Sequence, residues 1–134
     1  MKKKILITGG CGYIGSSLGN YFSDKYEVIT LDKRKKNIFL NKKIKHYICN
    51  LLDQNKLKKI IAKIKPDAVV HLAGQSTIDL VDKKKNEYYK NNVLATNILV
   101  KIIKKLEIPK FIFSSTAAIY DKSKDILKET SKIK

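Results

Sequence analysis

The stretch Thr8-Gly-Gly-Cys-Gly-Tyr-Ile-Gly15 decides the fold class of this 134-residue chain. It follows a short apolar run, Lys4–Thr8, which has the form of a buried parallel strand, and it opens a segment, Tyr13–Lys25, with apolar residues at helical spacing. Glycines at such a turn let the backbone approach a ligand closely, and Gly15 lets the helix pack on the strand. The N–H groups and positive dipole end of the helix favour a pyrophosphate. The stretch therefore predicts a dinucleotide-binding, Rossmann-type unit.

An acidic residue, Asp32, follows the second apolar run, Glu27–Leu31, roughly 20 residues beyond the glycine loop. A carboxylate at this place accepts hydrogen bonds from the ribose hydroxyls of NAD and repels the 2′-phosphate of NADP. The alternative is a polar residue that only closes a strand. Lys33-Arg34-Lys35-Lys36 come next and could neutralise a 2′-phosphate. The sequence favours NAD as the cofactor and leaves NADP open.

Strand and helix signals alternate along the rest of the chain. Strands are predicted at Ile44–Cys49, Ala68–Leu72 and Lys110–Ser114, and helices after a capping residue, Asp53, and from about Asn86 to Leu106. Strands that alternate with helices form a parallel sheet through right-handed crossovers. We therefore expect an α/β fold, a Rossmann-type doubly wound parallel sheet of about five strands, with one domain over residues 1–134.

The net charge of +17 comes almost entirely from lysine, because Arg34 is the one arginine among 29 basic residues. The lysines are scattered, whereas nucleic-acid readers favour arginine, so we expect no specific nucleic-acid partner and only weak, salt-sensitive attraction to polyanions. The apolar runs are too short to span a membrane. Cys11 and Cys49 have neither metal-ligand spacing nor a disulfide pattern. These features favour a cytoplasmic protein without metal or membrane.

Together with later segments, the glycine loop resembles the extended short-chain dehydrogenase/reductase family, in its NAD-dependent epimerase/dehydratase group, and most closely the UDP-glucose 4-epimerase branch. The matching segments run through the chain in order: Ile5–Ser16, Asp32, Asp67–Gly74, Tyr88–Val93 with Thr96, and Lys110–Tyr120. The resemblance implies NAD as the cofactor and a nucleotide sugar as the substrate. It also implies hydride transfer through a 4-keto intermediate.

The resemblance further implies which residues form the site. Cofactor contacts are expected from Gly9, Gly12, Tyr13, Ile14, Gly15, Asp32, Asn50, Leu51, Leu72, Ala73, Gly74, Asn92 and Ser114. Asn50 stands where the family usually has an acidic residue, and its amide can both donate and accept a hydrogen bond. Asn92 is expected to project toward the cofactor, the alternative being a helix-surface amide. Thr116 is implied as the catalytic hydroxyl, which hydrogen-bonds the sugar oxygen undergoing oxidation.

The family's acid/base pair, Tyr-x-x-x-Lys, belongs to a helix that this sequence does not reach, although Ile126–Glu129 resembles the segment that leads up to it. The matches Tyr21–Lys25 and Tyr120–Lys124 carry no weight in so lysine-rich a chain. We therefore expect the C-terminally truncated, N-terminal part of a larger enzyme, without the substrate lobe and inactive alone. Alternatives are a non-catalytic dinucleotide-binding module and a related nucleotide-sugar dehydratase or reductase. A homo-oligomer or a complementing partner chain is the expected assembly.

Overall fold

The computed structural model describes residues 1–36, 38–75, 85–116, 119–120 and 126–133. Within these ranges the elements follow in the order β1 (Lys4–Thr8), α1 (Tyr13–Phe22), β2 (Glu27–Asp32), β3 (Lys45–Ile48), α2 (Gln54–Ile64), β4 (Ala68–His71), α3 (Lys85–Tyr88), a π-helical segment (Tyr89–Leu94), α4 (Ala95–Lys105) and β5 (Phe111–Phe113). Each strand expected from the sequence is present, with small differences at its ends.

The strands form one five-stranded sheet in the order β3-β2-β1-β4-β5, and every neighbouring pair is parallel. Thr8, at the carboxyl end of β1, lies opposite Leu31 on one side and His71 on the other. The strand order reverses beside β1, and open α/β sheets bind ligands outside the carboxyl ends of the strands at this point. The Rossmann-type prediction is confirmed.

Two separate hydrophobic clusters cover the two faces of the sheet, because successive side chains of a strand point to opposite faces. Leu6 belongs to the cluster beneath α2 and α4, whereas its neighbours Ile5 and Ile7 belong to the cluster beside α1. The buried residues of α2 recur at helical spacing: Leu57, Ile60, Ile61 and Ile64. Helices on both faces make the sheet doubly wound.

Helix α2 begins and ends as its sequence indicates. The Asp53 carboxylate accepts a hydrogen bond from the backbone N–H of Lys56 at 3.1 Å, which confirms the expected cap. Such a cap stabilises a helix by about 1 kcal/mol. At the other end Lys65 takes the left-handed conformation, with φ 49°, and Pro66 follows. A proline there prevents continuation of the helix.

The single helix predicted from about Asn86 to Leu106 is wrong in one respect, because a π-helical segment separates α3 from α4. The side chains of Asn91 and Asn92 in this segment bond to Gln75. A π turn inserts extra backbone and shifts the phase of the helix, and such bulges are frequent at functional sites. A regular helical period could not have predicted this shift.

No helix within the described ranges combines the length and the apolar character needed to cross a membrane. The same part of the chain contains no group of three or more His, Cys, Asp or Glu residues that could hold a metal ion.

Candidate functional site

The glycine loop turns sharply between β1 and α1. Gly9 has φ 72°, a conformation that side chains disfavour, and its N–H donates to the carbonyl of Leu31 at 2.8 Å. The Gly12 N–H in turn donates to the Gly9 carbonyl at 2.9 Å. A Cβ on Gly15 would collide with the same Gly9 oxygen. The loop thus depends on glycine for both its turn and its packing, as the sequence indicated.

The N-terminus of α1 is open to a ligand. Gly12 is its N-cap residue, no side chain caps it, and its first turn contains no acidic residue. Tyr13 and Ile14, the first residues of the helix, are 89% and 60% exposed. The positive dipole end of α1 therefore has no side-chain cap, and it lies beside the exposed side chains of Tyr13 and Ile14. This arrangement fits the pyrophosphate of a dinucleotide.

Asp32 lies beside the glycine loop and is only 6% exposed. Its Oδ2 accepts hydrogen bonds from the Cys11 N–H at 3.0 Å and from Arg34 Nη2 at 3.1 Å. Its Oδ1 accepts hydrogen bonds from the Arg34 backbone N–H at 3.0 Å and from Arg34 Nε at 3.1 Å. The residue expected to hold the ribose is thus paired with an arginine two positions along the chain. From the sequence, that arginine is predicted only as a positive charge near a 2′-phosphate.

The ionisation of this pair follows from its contacts. Burial alone would raise the pKa of Asp32, but the hydrogen bonds from Arg34 and from Cys11 outweigh it and hold that pKa below its ordinary value. The hydrogen bond to Asp32 raises the pKa of Arg34. Both groups are charged at neutral pH.

The segment after β4 runs beside the glycine loop. The Leu72 N–H donates to the Thr8 carbonyl at 3.1 Å, and a Cβ on Gly9 would lie 2.7 Å from the Ala73 nitrogen. A Cβ on Gly74 would lie 3.3 Å from Asn92 Oδ1. Predicted cofactor residues from three separate segments therefore form one continuous surface at the switch point of the sheet.

Asn92 holds this surface from the π-helical segment. Its Oδ1 accepts a hydrogen bond from the Gln75 N–H at 2.7 Å, and its Nδ2 donates to the Gln75 carbonyl at 3.1 Å. The Asn91 amide donates to the Gln75 side chain at 3.3 Å. Asn92 is therefore more than a helix-surface amide, since both ends of its side chain fix the backbone after β4.

A chain of polar side chains lies beneath this surface, with Thr8 and His71 buried and Thr96 partly buried. Thr96 Oγ1 donates to the Asn92 carbonyl at 2.7 Å and lies 2.8 Å from His71 Nε2. The single proton of the Thr96 hydroxyl is already donated to the Asn92 carbonyl, so the hydrogen bond between Thr96 and His71 is donated by the ring. We therefore assign the imidazole proton of His71 to Nε2. His71 Nδ1 then accepts from the Thr8 hydroxyl at 2.6 Å. The available signal was a histidine inside the apolar run Ala68–Leu72.

The remaining predicted residues follow β3 and β5. The side chain of Asn50 is exposed, and its Oδ1 accepts a hydrogen bond from the Leu52 N–H at 3.1 Å. Leu51 is 7% exposed and belongs to the core, so its side chain is not presented to a ligand. Ser114, whose N–H donates to the His71 carbonyl at 3.1 Å, and Thr116 are exposed beyond the carboxyl end of β5.

Comparisons with known proteins agree with this geometry. A sequence model of the NAD dependent epimerase/dehydratase family matches residues 5–134. The chain is 38% identical over 127 residues to UDP-glucose 4-epimerase of Mycoplasma genitalium, covering 89% of this chain and 37% of that protein. It is 36% identical over 129 residues to dTDP-D-glucose 4,6-dehydratase of Dictyostelium discoideum, covering 88% of this chain and 30% of that protein.

Among solved structures, UDP-glucose 4-epimerase from Bifidobacterium longum in complex with NAD+ and UDP superposes with a TM-score of 0.87 at 28% identity. That match covers 98% of this chain and 43% of the solved chain. The chain thus spans well under half the length of the relatives it matches. The matched segment begins in β1 and includes the glycine loop, the switch point and the residues beyond β5. On these grounds the chain belongs to the NAD dependent epimerase/dehydratase family.

Proposed function

We propose that this chain binds NAD and forms the cofactor-binding part of a nucleotide-sugar epimerase of the UDP-glucose 4-epimerase type. The observation that carries the proposal is the uncapped N-terminus of α1, enclosed by glycine turns and flanked by Asp32, at the switch point of a parallel sheet. A pyrophosphate gains hydrogen bonds and a favourable dipole there, and the glycines admit it close to the backbone.

Several of the predicted residues have a physical role in this proposal. Tyr13 and Ile14 present backbone N–H groups to the phosphates, and Gly12, whose own N–H donates to the Gly9 carbonyl, lets the phosphates come close to the backbone. The Asp32 carboxylate accepts hydrogen bonds from the ribose. Asn92 orients the backbone after β4 through its two hydrogen bonds to Gln75. When bound, a nicotinamide cofactor supplies the acceptor for a hydride from the sugar.

The sugar would be positioned at the exposed end of β5. The Thr116 hydroxyl would hydrogen-bond the oxygen that loses its proton, and a hydroxyl orients such a group but is a weak base by itself. The family's Tyr-x-x-x-Lys pair does not occur at the matching place within these 134 residues. We therefore propose that the 134-residue polypeptide, tested alone, binds cofactor without turnover.

A nucleotide-sugar dehydratase is the second candidate. Its support is the similarity to the dehydratase of Dictyostelium discoideum, at 36% identity against 38% for the epimerase of Mycoplasma genitalium. Both relatives match most of this chain, so the glycine loop does not distinguish the two candidates. The function of the cofactor site is the same in either case.

The test is calorimetric titration of the purified chain with NAD. Gly12→Val places a branched side chain where the pyrophosphate must approach the backbone, so we expect NAD binding to be lost. Ser17→Val is the matched control, because Ser17 is exposed on the same helix and farther from its N-terminus. Equal NAD affinity in the wild type and in Gly12→Val would contradict the proposal.

A further inference from the structure

The Arg34 side chain occupies two of the acceptor positions on Asp32, the residue that should hold the ribose. Four N–H donors reach the Asp32 carboxylate, three of them from Arg34 and one from Cys11. An ionised carboxylate offers about four lone-pair positions. The two backbone N–H groups are held in place by the fold. Ribose hydroxyls can therefore reach the Asp32 carboxylate only when the Arg34 guanidinium moves away.

The Arg34 guanidinium is also placed beside the phosphate end of the site. The side chain is 59% exposed, and its Nη2 lies 3.8 Å from the position that a Cβ on Gly12 would occupy. It therefore lies between the Asp32 carboxylate and the glycine loop, and its exposed side can turn toward a ligand. Being tethered at residue 34, it stays within reach after it leaves the carboxylate.

The consequence for affinity differs between NAD and NADP. With NAD, the guanidinium gives up two charge-assisted hydrogen bonds to Asp32, and the ribose hydroxyls replace it without offering an anion in return. With NADP, the 2′-phosphate offers a new bidentate partner of the kind that arginine binds best. The movement of the Arg34 guanidinium away from Asp32 thus exposes the carboxylate to NAD, and it also places the guanidinium where it can bind the 2′-phosphate of NADP.

The two lysines that follow Arg34, Lys35 and Lys36, do not provide this discrimination. Lys36 Nζ donates to the carbonyls of Lys42 and Ile44, so it is engaged away from the site. In the part of the chain that the structure describes, the exposed side chain of Lys35 makes no hydrogen bond or ion pair. A solvated lysine raises the local positive potential for both dinucleotides, because each carries a pyrophosphate.

We propose that Arg34 is the specificity-determining residue of the ribose subsite, and that it lets this chain accept NADP with an affinity within about tenfold of that for NAD. The inference rests on the proposed dinucleotide-binding function and deepens it. It reverses the ordinary expectation from an acidic residue at the end of the second strand, which is strong exclusion of NADP.

The test measures dissociation constants for NAD and NADP by calorimetry on the wild type, Arg34→Gln and Lys35→Gln. Arg34→Gln leaves the Asp32 charge uncompensated, so NADP binding should weaken at least about tenfold more than NAD binding. Lys35→Gln makes the same change in net charge one residue away and should change both affinities by a similar factor. Arg34→Lys keeps the charge without the fork and should fall between Arg34→Gln and the wild type.

Asp32→Ala supplies an independent variant. It removes the carboxylate that competes for the guanidinium, so the preference should shift toward NADP. An unchanged ratio of the two affinities in Arg34→Gln, with NAD still bound, would overturn the inference alone. A wild type that excludes NADP by more than about a hundredfold would do the same. A wild type that binds neither dinucleotide would overturn the proposed function as well.

Discussion

His71 shows how one polar side chain is accommodated within an apolar strand. It is 1% exposed, and both ring nitrogens have hydroxyl partners, Thr8 and Thr96. The rings of Phe111 and Phe113 stack beside it, with centroids 6.1 and 5.7 Å away. Buried polar groups persist where every donor and acceptor is paired. His71 therefore links β1 and β4 to α4, because Thr8 lies in β1 and Thr96 lies in α4.

We expect the stability of the fold to fall as the pH decreases from about 6.5 to about 4. Burial lowers the pKa of His71 from 6.5 to about 4. Between these two pH values the histidine is protonated in the unfolded chain and neutral in the folded chain. The stabilisation is complete above about pH 6.5 and is lost as the pH falls through the folded value. A shift of this size corresponds to about 3 kcal/mol at most.

Urea unfolding at a series of pH values measures this effect. His71→Asn removes the titrating ring, and the free energy of unfolding of the variant should change less between pH 6.5 and 4 than that of the wild type. Equal pH dependence in the two proteins would show that His71 is not the group responsible. Asp32 acts in a lower window, because its pKa is lowered and its contribution is lost only at more acidic pH.

At the scale of elements, the π-helical segment Tyr89–Leu94 connects the core helix α4 to the loop after β4. Helix α4 is anchored by its apolar residues, Ala95, Leu99, Ile102 and Ile103. The π-helical segment itself has no buried residue, so packing does not hold its wide turn. Its fixed points are the hydrogen bonds from Asn91 and Asn92 to Gln75. The segment therefore works as a spacer that brings an amide to the site.

We expect Asn92→Ala to weaken NAD binding about tenfold, because it removes two hydrogen bonds that hold the Gln75 backbone. The control is Asn91→Ala, which removes one longer side-chain contact of 3.3 Å and should have a smaller effect. Calorimetry gives both affinities, and thermal unfolding shows whether each variant is folded. Equal losses of affinity in the two variants would refute the special role of Asn92.

At the scale of the whole molecule, the sheet formed by the described residues has β5 at one edge. Strand β5 pairs with β4 on one side. Its residues Phe111, Ile112 and Phe113 are 37%, 58% and 54% exposed. Unpaired N–H and C=O groups beside exposed apolar side chains invite pairing with another chain. The net charge of +17 opposes association between copies, most strongly at low salt. Edge and charge therefore act in opposite directions on assembly.

We expect the isolated 134-residue chain to associate with itself, more strongly at physiological salt than at low salt, since salt screens the charge. Ile112→Lys places a charge on the β5 edge and should reduce association. Ile38→Lys makes the same substitution at a position that is 91% exposed and outside the sheet, and it should have no such effect. Sedimentation velocity measures the distribution. A monomer under all conditions would contradict the expectation.

We also expect the same polypeptide to show no epimerase activity. Acid/base catalysis typically contributes about 10²–10⁴-fold, and the tyrosine that supplies it in the family is not at the matching place in this sequence. A coupled assay for conversion of UDP-galactose tests this, with NAD calorimetry on the same sample as proof that the site is intact. Turnover by a sample of the 134-residue chain would overturn the expectation.

The sequence by itself determined the features that depend on neighbouring residues. The glycine pattern specifies the loop, Asp53 specifies the start of α2, and the run Ile5-Leu6-Ile7 specifies a strand buried on both faces. Strand periodicity and helix capping are local, so the alternating elements and the parallel sheet could be predicted from them.

Only the tertiary structure decided how the site is held. Thr8 meets His71 across 63 positions of sequence, and Asn92 meets Gln75 across 17, through a π turn that no helical period indicates. Arg34 is close to Asp32 in sequence, and the sequence predicts Asp32 as a ribose ligand and Arg34 only as a positive charge. Only the structure shows that the two side chains are hydrogen-bonded to each other. A hydrogen bond requires a donor–acceptor distance correct to a fraction of an ångström and a suitable angle. The packing of whole elements sets this geometry, and local propensity does not.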